Sequence, residues 1–436
     1  MDKKPLKFIH ITKCGGTSIE HAGLQQNIQW GRNHKEYRVP NSTEKAPWHR
    51  IFPNIDPTIV ENYDWFMVVR NPYDRILSEY YCDHGGIGML SVKHTKEEMN
   101  QYLIHRIQNR SKSGNHYTEQ YKYLHPATKI HIIKFENMRV EFQTLMDKYN
   151  IQGIHLENLN AKNKQKYNET RFTTDDFSKD LIDTINRVYN NDFETFHYKK
   201  KMRIILKDCK LFYLTNNNPV RKKHFEEEFK EYNAIETNPI QSETSKNKSG
   251  ATGFCKILDQ AALIQDRYKP FQPFIILEDD VKKHREFPVF LDAPEDADIV
   301  YIGISKWGIK SHVQGFQNEV CYKIINKDLV QVYNMLSTHG LIVCSTYGLL
   351  LFQKCIMEAY FKNITWDIPL GQAQTFMKAY ALKNPLVYQY AEIGGVEHGT
   401  KFIMHCEKDK DIDKTWINTT NVSNATATRP FVTIVN

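Results

Sequence analysis

Apolar and polar positions in the first half of the chain alternate between the period of a strand and that of a helix. Runs of β-branched and aromatic residues predict strands over 8–11, 65–69 and 130–135. Turn residues and a helical pattern follow these runs, as over 138–149, and a further helix is predicted over 180–189. This alternation predicts an α/β fold with a parallel sheet.

The pattern starts again after the basic segment Lys199-Lys200-Lys201. Strands are predicted over 203–206, 211–214, 274–277 and 298–303, and helices from Val220 and over 253–267. A chain of 436 residues favours two or three domains. We therefore predict one domain over 1–200, a second α/β domain over 201–406 and a polar tail over 407–436.

Composition narrows the classes of protein that fit. Hydrophobic residues make up 41% and charged residues 25%, as in soluble globular proteins. A net charge of +7 suits anionic small molecules and gives no reason to expect a nucleic-acid partner. The first residues run directly into the first strand, and no apolar stretch is long enough for a signal peptide or a membrane span. These features predict a cytoplasmic protein and are compatible with a viral origin.

The first strand leads into a glycine-containing turn, Lys13-Cys14-Gly15-Gly16-Thr17-Ser18. Glycines let the backbone approach an anion, and the N–H groups and dipole of the following helix attract it. Thr17 and Ser18 add hydroxyl donors, and Lys13 adds a positive charge. The alternative is an ordinary strand-to-helix turn with an exposed lysine.

A second strand, turn and helix spans 66–80. Arg70 ends the strand, Pro72 suits a first helical turn, and Arg75 and Ser78 lie on one helical face. An arginine fork with a hydroxyl fits a second phosphate. The alternative is a surface pair of Arg75 with Glu79 at i,i+4.

These two segments resemble those of sulfotransferases that use 3'-phosphoadenylyl sulfate (PAPS). Lys13 to Ser18 resembles their 5'-phosphosulfate loop, and Arg70 to Arg75 with Ser78 resembles their 3'-phosphate motif. Further segments resemble the carbohydrate branch that includes heparan sulfate 2-O-sulfotransferase; they begin at His116, Phe135 and Tyr189. The resemblance covers about residues 5–198. It implies a P-loop-like parallel sheet with flanking helices, PAPS as co-substrate and a glycan or polysaccharide acceptor.

The resemblance also implies a catalytic base. In such a reaction the acceptor hydroxyl attacks sulfur in line, and Lys13 and the loop N–H groups stabilise charge on the leaving oxygen. His49 lies 70 − 49 = 21 residues before Arg70, where similar enzymes carry a histidine. Histidine commonly serves as a general base. The alternatives are a surface histidine beside Arg50, or one of four competing histidines as the base: His10, His34, His84 and His116.

In the second half, the apolar strand 274–277 ends in Glu278, Asp279 and Asp280. Carboxylates at a strand end can hold Mn²⁺ or Mg²⁺ against a diphosphate. The alternative is a solvated acidic turn. Leu211 to Asn217 predicts a nucleotide-binding turn, and Asp367 is a further candidate carboxylate.

Residues 203–400 resemble GT-A glycosyltransferases of the lipopolysaccharide and collagen galactosyltransferase-like group, on the match of Ile276-Leu277-Glu278-Asp279-Asp280 to their metal motif. The resemblance implies a GT-A-like domain that uses a nucleotide sugar. The leading hypothesis is a sulfotransferase fused to a glycosyltransferase. One alternative keeps the sulfotransferase and treats the second half as a non-catalytic glycan-binding domain. Another, a nucleotide-dependent kinase, is disfavoured because the GxxxxGK[ST] loop is absent.

Overall fold

A computed structural model describes the chain over residues 3–31, 47–49, 51, 57–87, 94–125, 128–156, 171–241, 245–305, 307–309 and 320–393. The chain divides into two compact units, Met1–Met202 and Arg203–Asn436. The predicted polar tail over 407–436 lies outside the described residues, as does His34. Within the described ranges, we find no helix with the length and apolar character needed to cross a lipid bilayer.

The first unit is built on a three-stranded parallel sheet with β2 in the middle. Its strands are β1 (Leu6–Ile9), β2 (Asp64–Val69) and β3 (Ile130–Lys134). Its described helices are α1 (Gly16–Gln25), α2 (Pro57–Glu61), α3 (Pro72–Tyr80), α4 (Lys96–Gln108), α5 (Met138–Lys148), α6 (Lys179–Val188) and α7 (Asn190–Thr195). Because the three strands are parallel, their carboxyl ends meet at one edge of the sheet. The prediction of an α/β fold with a parallel sheet is confirmed.

Two apolar clusters hold this unit together. One surrounds the sheet, where β2 is buried from Trp65 to Val69 and packs with side chains of α1 and α5 such as Ile19 and Phe142. The other joins α3, α4 and α6 through residues such as Tyr80, Leu103 and Ile185. Burial of whole apolar faces fixes how these helices pack.

The second unit contains a mixed eight-stranded sheet. Its described helices are α8 (Pro219–Glu228), α9 (Lys246–Leu263), α10 (Thr346–Lys362) and α11 (Asp367–Ala373). The strands, including β4 at the boundary of the units, are β4 (Lys201–Ile205), β5 (Lys210–Leu214), β6 (Ile235–Thr237), β7 (Phe274–Glu278), β8 (Val281–Lys283), β9 (Phe290–Pro294), β10 (Ile299–Tyr301), β11 (Tyr322–Ile324), β12 (Leu329–Val332), β13 (Gly340–Val343), β14 (Ala379–Leu382) and β15 (Val387–Gln389).

The eight strands lie in the order β11-β12-β14-β10-β13-β7-β5-β6, and this order reverses at β5. Strands β6 and β7 follow β5 along the chain and pair with it in parallel on opposite sides. In open α/β sheets, ligands bind in the crevice at the carboxyl ends of strands where the order reverses. In this sheet that crevice lies where Leu214 and Glu278 end their strands.

Candidate functional site

The loop between β1 and α1 has a backbone that few residues adopt. Lys13 has φ 58° and Gly15 has φ 79°, both in the left-handed region. Gly15 is the N-cap of α1, and the N–H of Ser18 donates to its carbonyl oxygen at 3.1 Å. A β-carbon on Gly16 would lie 2.0 Å from Nε2 of His10, so this position requires glycine. A lysine in this region costs conformational energy, which is common at functional sites.

The turn after β2 is fixed by partners from distant parts of the chain. The buried Gln120 side chain accepts from the N–H of Arg70 at 2.8 Å and donates to its carbonyl oxygen at 2.8 Å. The side chain of Asn71 caps α3 by accepting from the N–H of Tyr73 at 3.1 Å. The N–H of Asn71 donates to Glu136, which follows β3. These contacts hold the Arg70 backbone in a fixed position at the strand end.

The two predicted anion-binding loops lie side by side. Nη1 of Arg70 donates to the carbonyl oxygen of Lys13 at 3.3 Å, and the Arg70 guanidinium lies 4.3 Å from the ring centre of Phe135. Lys13 and Arg70 are both partly exposed. Their side chains therefore bring positive charge to the edge where the carboxyl ends of β1, β2 and β3 meet.

The other residues of the predicted site differ in exposure. Gly15 and Ser78 are partly exposed and Thr17 is exposed, whereas Gly16 and Ser18 are buried at the start of α1. Free N–H groups at a helix N-terminus attract anions even where a side chain is covered.

The interpretation of Arg75 as a phosphate ligand does not match its surroundings. Arg75 is 1% exposed, and its donors bond to the carbonyl oxygens of Thr12, His116 and Thr118 and to the hydroxyl of Thr12, at 2.7–3.2 Å. The i,i+4 spacing of Arg75 and Glu79 gives no sign of this role, because the carbonyl partners of Arg75 come from loops far away in sequence. Arg75 joins those loops from inside the unit.

His49 lies beside the first loop. Its Nδ1 is 2.9 Å from the carbonyl oxygen of His10, and the two rings stack edge to face with centres 4.6 Å apart. A carbonyl oxygen accepts only, so Nδ1 carries the proton and the neutral ring has its lone pair on Nε2. His10, one of the alternative bases, is buried and lies 3.5 Å from the carboxylate of Glu20.

A cluster that sequence reasoning missed lies next to this edge. A carboxylate oxygen of Glu79, Sγ of Cys82 and a ring nitrogen of His116 lie within 4.8 Å of one another. Glu79 is fully buried and its Oε2 is 2.9 Å from Nδ1 of His116. Burial lowers the pKa of His116, but hydrogen bonds with Cys82 and Glu79 outweigh it and raise that pKa to about 9. Glu79 and His116 are 37 residues apart, and no local pattern joins them.

In the second unit, Glu278 ends β7 at the crevice beside β5, and Asp279 and Asp280 follow it. Both oxygens of Asp279 have partners: Oδ2 accepts from the N–H of Asn216 at 3.0 Å, and Oδ1 accepts from Arg221 at 3.1 Å. Arg221 is also 3.4 Å from Asp280. In the described part of the chain, the three carboxylates do not form a set with all ligand atoms within 4.8 Å.

Glu278 lines a cavity of about 250 Å³, together with Trp366, Asp367 and Thr338. Its Oε1 accepts from the Thr338 hydroxyl at 2.7 Å. Burial and the charge of Asp280 raise the pKa of Glu278 to about 8, and burial also raises the pKa of Asp280 and of Asp367. Oδ1 of Asp280 and Oδ1 of Asp367 are buried without a hydrogen-bond partner among the described residues.

A larger cavity of about 640 Å³ lies at the start of β1, lined by Lys3, Lys4, Lys7 and Tyr149 among others. It includes neither Lys13 nor Arg70. The geometry of parallel sheets favours the opposite edge for ligand binding.

Comparison with known protein families finds a match over the first unit. The model of the sulfotransferase family matches residues 1–199. This match supports a sulfotransferase-family domain in the amino-terminal half, a class of enzyme that transfers sulfuryl groups from PAPS. No curated protein matches the chain.

Proposed function

We propose that the first unit transfers the sulfuryl group of PAPS to a hydroxyl of a carbohydrate. The observation that carries the proposal is the adjacency of the two loops, with Nη1 of Arg70 3.3 Å from the carbonyl oxygen of Lys13. PAPS carries anionic groups at both ends of one adenosine. Two cationic loops at one sheet edge are the arrangement that such a molecule requires.

Each of the two loops binds one end of the PAPS donor. Arg70 and the hydroxyl of Ser78 bind the 3'-phosphate, and a guanidinium suits a phosphate because it can donate two parallel hydrogen bonds. The N–H groups at the start of α1, with Gly15, Gly16, Thr17 and Ser18, bind the 5'-phosphosulfate. Lys13 stabilises the negative charge that grows on the bridging oxygen as the sulfur–oxygen bond breaks.

His49 accepts the proton of the attacking hydroxyl. Its Nδ1–H bond to the carbonyl oxygen of His10 orients the ring and leaves the basic lone pair on Nε2. The rings of His49 and His116 have centres 6.3 Å apart. His116 is the weaker candidate for the base, since its raised pKa keeps it protonated at neutral pH.

Binding of adenosine 3',5'-bisphosphate, measured by calorimetry, tests the donor site. Lys13→Ala and Arg70→Ala should each weaken binding by about tenfold or more, because a charge-assisted hydrogen bond contributes about 1.5–3 kcal/mol. Lys129→Ala, directly before β3, and Arg187→Ala, on α6, are the matched controls at exposed positions. Equal binding by all four variants would refute the proposed site. Transfer of radiolabelled sulfate to a panel of polysaccharides then tests the acceptor class.

For the second unit, we propose binding of a nucleotide sugar with Mn²⁺ or Mg²⁺, as in a glycosyltransferase of the GT-A-like class. Two features support it. The carboxylates lie at the crevice where the strand order reverses. The second is that Oδ1 of Asp280 and Oδ1 of Asp367 are buried without a hydrogen-bond partner among the described residues and that the pKa of Glu278 is raised, as expected where carboxylates gather around a cation.

The bond from Arg221 to Asp279 favours the alternative, a glycan-binding domain without turnover, because it occupies one of the three proposed ligands. A thermal-shift titration with uridine diphosphate, with and without Mn²⁺, tests metal-dependent nucleotide binding, and hydrolysis of nucleotide sugars tests turnover. Asp280→Asn should abolish a Mn²⁺-dependent shift, whereas Asp328→Asn, at an exposed carboxylate, should keep it. A Mn²⁺-dependent shift without turnover of any nucleotide sugar would support a binding domain without catalysis. The absence of any shift would refute binding of both the metal and the nucleotide.

A further inference from the structure

Cys82 differs from the other described cysteines. All of these are free thiols, and Cys14, Cys321, Cys344 and Cys355 are buried. Burial raises the pKa of Cys14 and of Cys209 to about 12, and it also raises the pKa of the partly exposed Cys255. Burial alone would raise the pKa of Cys82 too, but hydrogen bonds with His116 and the amides of His84 and Gly85, together with the charge of Lys13, lower it. Cys82 is thus a partly exposed thiol in positive surroundings.

The arrangement around Cys82 is that of an activated nucleophile. The thiol sulfur lies within 4.8 Å of a ring nitrogen of His116, and the buried carboxylate of Glu79 holds Nδ1 of that imidazole at 2.9 Å. A thiol, an imidazole and a carboxylate that orients the imidazole form the pattern that activates cysteine in many enzymes. Glu79 and Cys82 lie on either side of the end of α3, and His116 reaches them from a distant loop. The turn Cys82 to Gly86 closes against this helix end, since the N–H of Gly86 donates to the carbonyl oxygen of Cys82 at 2.9 Å.

We propose that Cys82 is a site of oxidation by peroxides, and that its modification lowers the activity of the first unit. The thiolate sulfur attacks one oxygen of hydrogen peroxide; a sulfur–oxygen bond forms and the oxygen–oxygen bond breaks. Hydroxide leaves and takes a proton from the His116 imidazolium to become water. Sulfur loses two electrons and peroxide gains them, which gives a sulfenic acid on Cys82. A small thiol converts this acid to a mixed disulfide with loss of water, and a second thiol restores the cysteine.

The effect on activity follows from the position of Lys13. Thr12, the residue before Lys13, donates to the carbonyl oxygen of His116 at 3.3 Å, and the charge of Lys13 lowers the pKa of Cys82. The oxidised sulfur or a bound thiol therefore lies near the group that stabilises the bridging oxygen in the proposed reaction. This regulatory part rests on the proposed function, whereas the reactivity of Cys82 does not. Cys14 lies within the loop itself, but it is fully buried and its Sγ bonds to Gln120 at 3.4 Å, so it is expected to stay inert.

Limited alkylation of the whole protein with iodoacetamide at pH 7, followed by peptide mass spectrometry, tests the reactivity. Among the cysteines that the structure describes, Cys82 should be labelled first, and Cys255 and Cys209 in the same molecule should be labelled at least about tenfold more slowly, as one unit of pKa difference implies. After treatment with hydrogen peroxide, dimedone should label Cys82. His116→Gln should slow the labelling of Cys82 by about tenfold while that of Cys255 stays the same. Labelling of Cys255 or Cys209 as fast as Cys82 in the wild-type protein would overturn the proposal, whether or not the variant folds.

Two further measurements separate the parts of the proposal. Hydrogen peroxide should lower sulfate transfer by the wild-type protein, dithiothreitol should restore it, and Cys82→Ser should be active and insensitive to peroxide. Oxidation of Cys82 without a change in transfer would overturn the regulatory part. A protein with no sulfate transfer before oxidation would refute the proposed function, and the labelling order would still decide the reactivity. Stoichiometric zinc in the purified protein, with labelling only after chelation, would assign the cluster to a metal and overturn the proposal.

Discussion

Substitution of Arg75 by lysine tests whether this arginine has a structural role or binds a ligand. The change keeps the positive charge and removes the planar fork of donors. Arg75 makes four hydrogen bonds from a side chain that is 1% exposed, whereas Arg70 is partly exposed and its guanidinium donates to the carbonyl oxygen of Lys13. The same change at Arg70 is therefore a matched control, with the opposite pattern expected.

The magnitude follows from the hydrogen bonds. A lysine ammonium has three donors on one atom and cannot reach carbonyl oxygens that the guanidinium spans, so at least two bonds to Arg75 are lost. Hydrogen bonds to charged groups contribute about 1.5–3 kcal/mol each, so Arg75→Lys should lower the free energy of unfolding by about 4 kcal/mol. For a unit of this size, that corresponds to a fall of about 10 °C in the melting temperature.

Scanning calorimetry gives the melting temperature, and titration calorimetry at 15–20 °C gives the affinity for adenosine 3',5'-bisphosphate. Arg75→Lys should melt early and bind within about threefold of the wild type, a difference below 1 kcal/mol. Arg70→Lys should melt normally and bind about tenfold more weakly, since a lysine cannot form the fork. If Arg75→Lys kept the wild-type melting temperature but lost affinity, Arg75 would be a ligand contact and our reading of the buried network would be wrong.

Three other changes test separate parts of the structure. His49→Ala should lower the turnover of sulfate transfer by about 10²–10³ while binding of adenosine 3',5'-bisphosphate is kept, as expected for a general base; loss of binding would indicate a positioning role instead. Gly16→Ala should weaken that binding, because the new β-carbon would meet the His10 ring at 2.0 Å, whereas Gly114→Ala, with nothing within 4 Å, should leave binding unchanged although its φ of 58° costs some stability. Glu278→Gln removes a carboxyl whose pKa is raised to about 8 in the folded protein, so the wild type gains stability from it below about pH 4.5 and loses that gain as the pH rises to 8. The variant should therefore melt above the wild type at pH 8 and not at pH 5, and identical melting curves at pH 8 would contradict the raised pKa.

The strands that surround the sites could be predicted because they are short, apolar and bounded by turn residues. The predicted run 65–69 lies within β2, 130–135 covers β3, and 274–277 lies within β7. The helix predicted over 138–149 corresponds to α5, Met138–Lys148. Apolar runs are read from neighbouring residues alone, so long-range contacts are not needed to find them.

The start of α9 shows where the pattern fails. The sequence predicts a helix over 253–267, but α9 begins seven residues earlier, at Lys246, and ends at Leu263. Lys246 to Lys248 are polar and offer no apolar period, while the cap comes from Ser245, whose hydroxyl accepts from the N–H of Lys248. A helix that is capped by a side chain can begin in a segment whose composition favours a loop.

The two candidate anion-binding loops could be proposed from sequence because each is a short continuous segment. The role of Arg75 and the cluster of Glu79, Cys82 and His116 could not, because their partners come from loops about 40 residues away along the chain. Burial of a charged side chain depends on those partners. Nothing in the i,i+4 spacing of Arg75 and Glu79 indicates that both point inward.

Both units place polar groups at the carboxyl ends of parallel strands, yet the charge they present is opposite. In the first unit, the carboxylates of Asp192 and Glu136 accept from N–H groups and from Tyr198, and the cationic side chains at the edge are those of Lys13 and Arg70. In the second unit, the groups at the edge are carboxyls whose pKa is raised by burial and by one another. An anionic ligand can bind the first edge directly, whereas at the second edge it needs a cation between itself and the protein. Dependence on a divalent cation should therefore distinguish the nucleotide bound by the second unit from the one bound by the first.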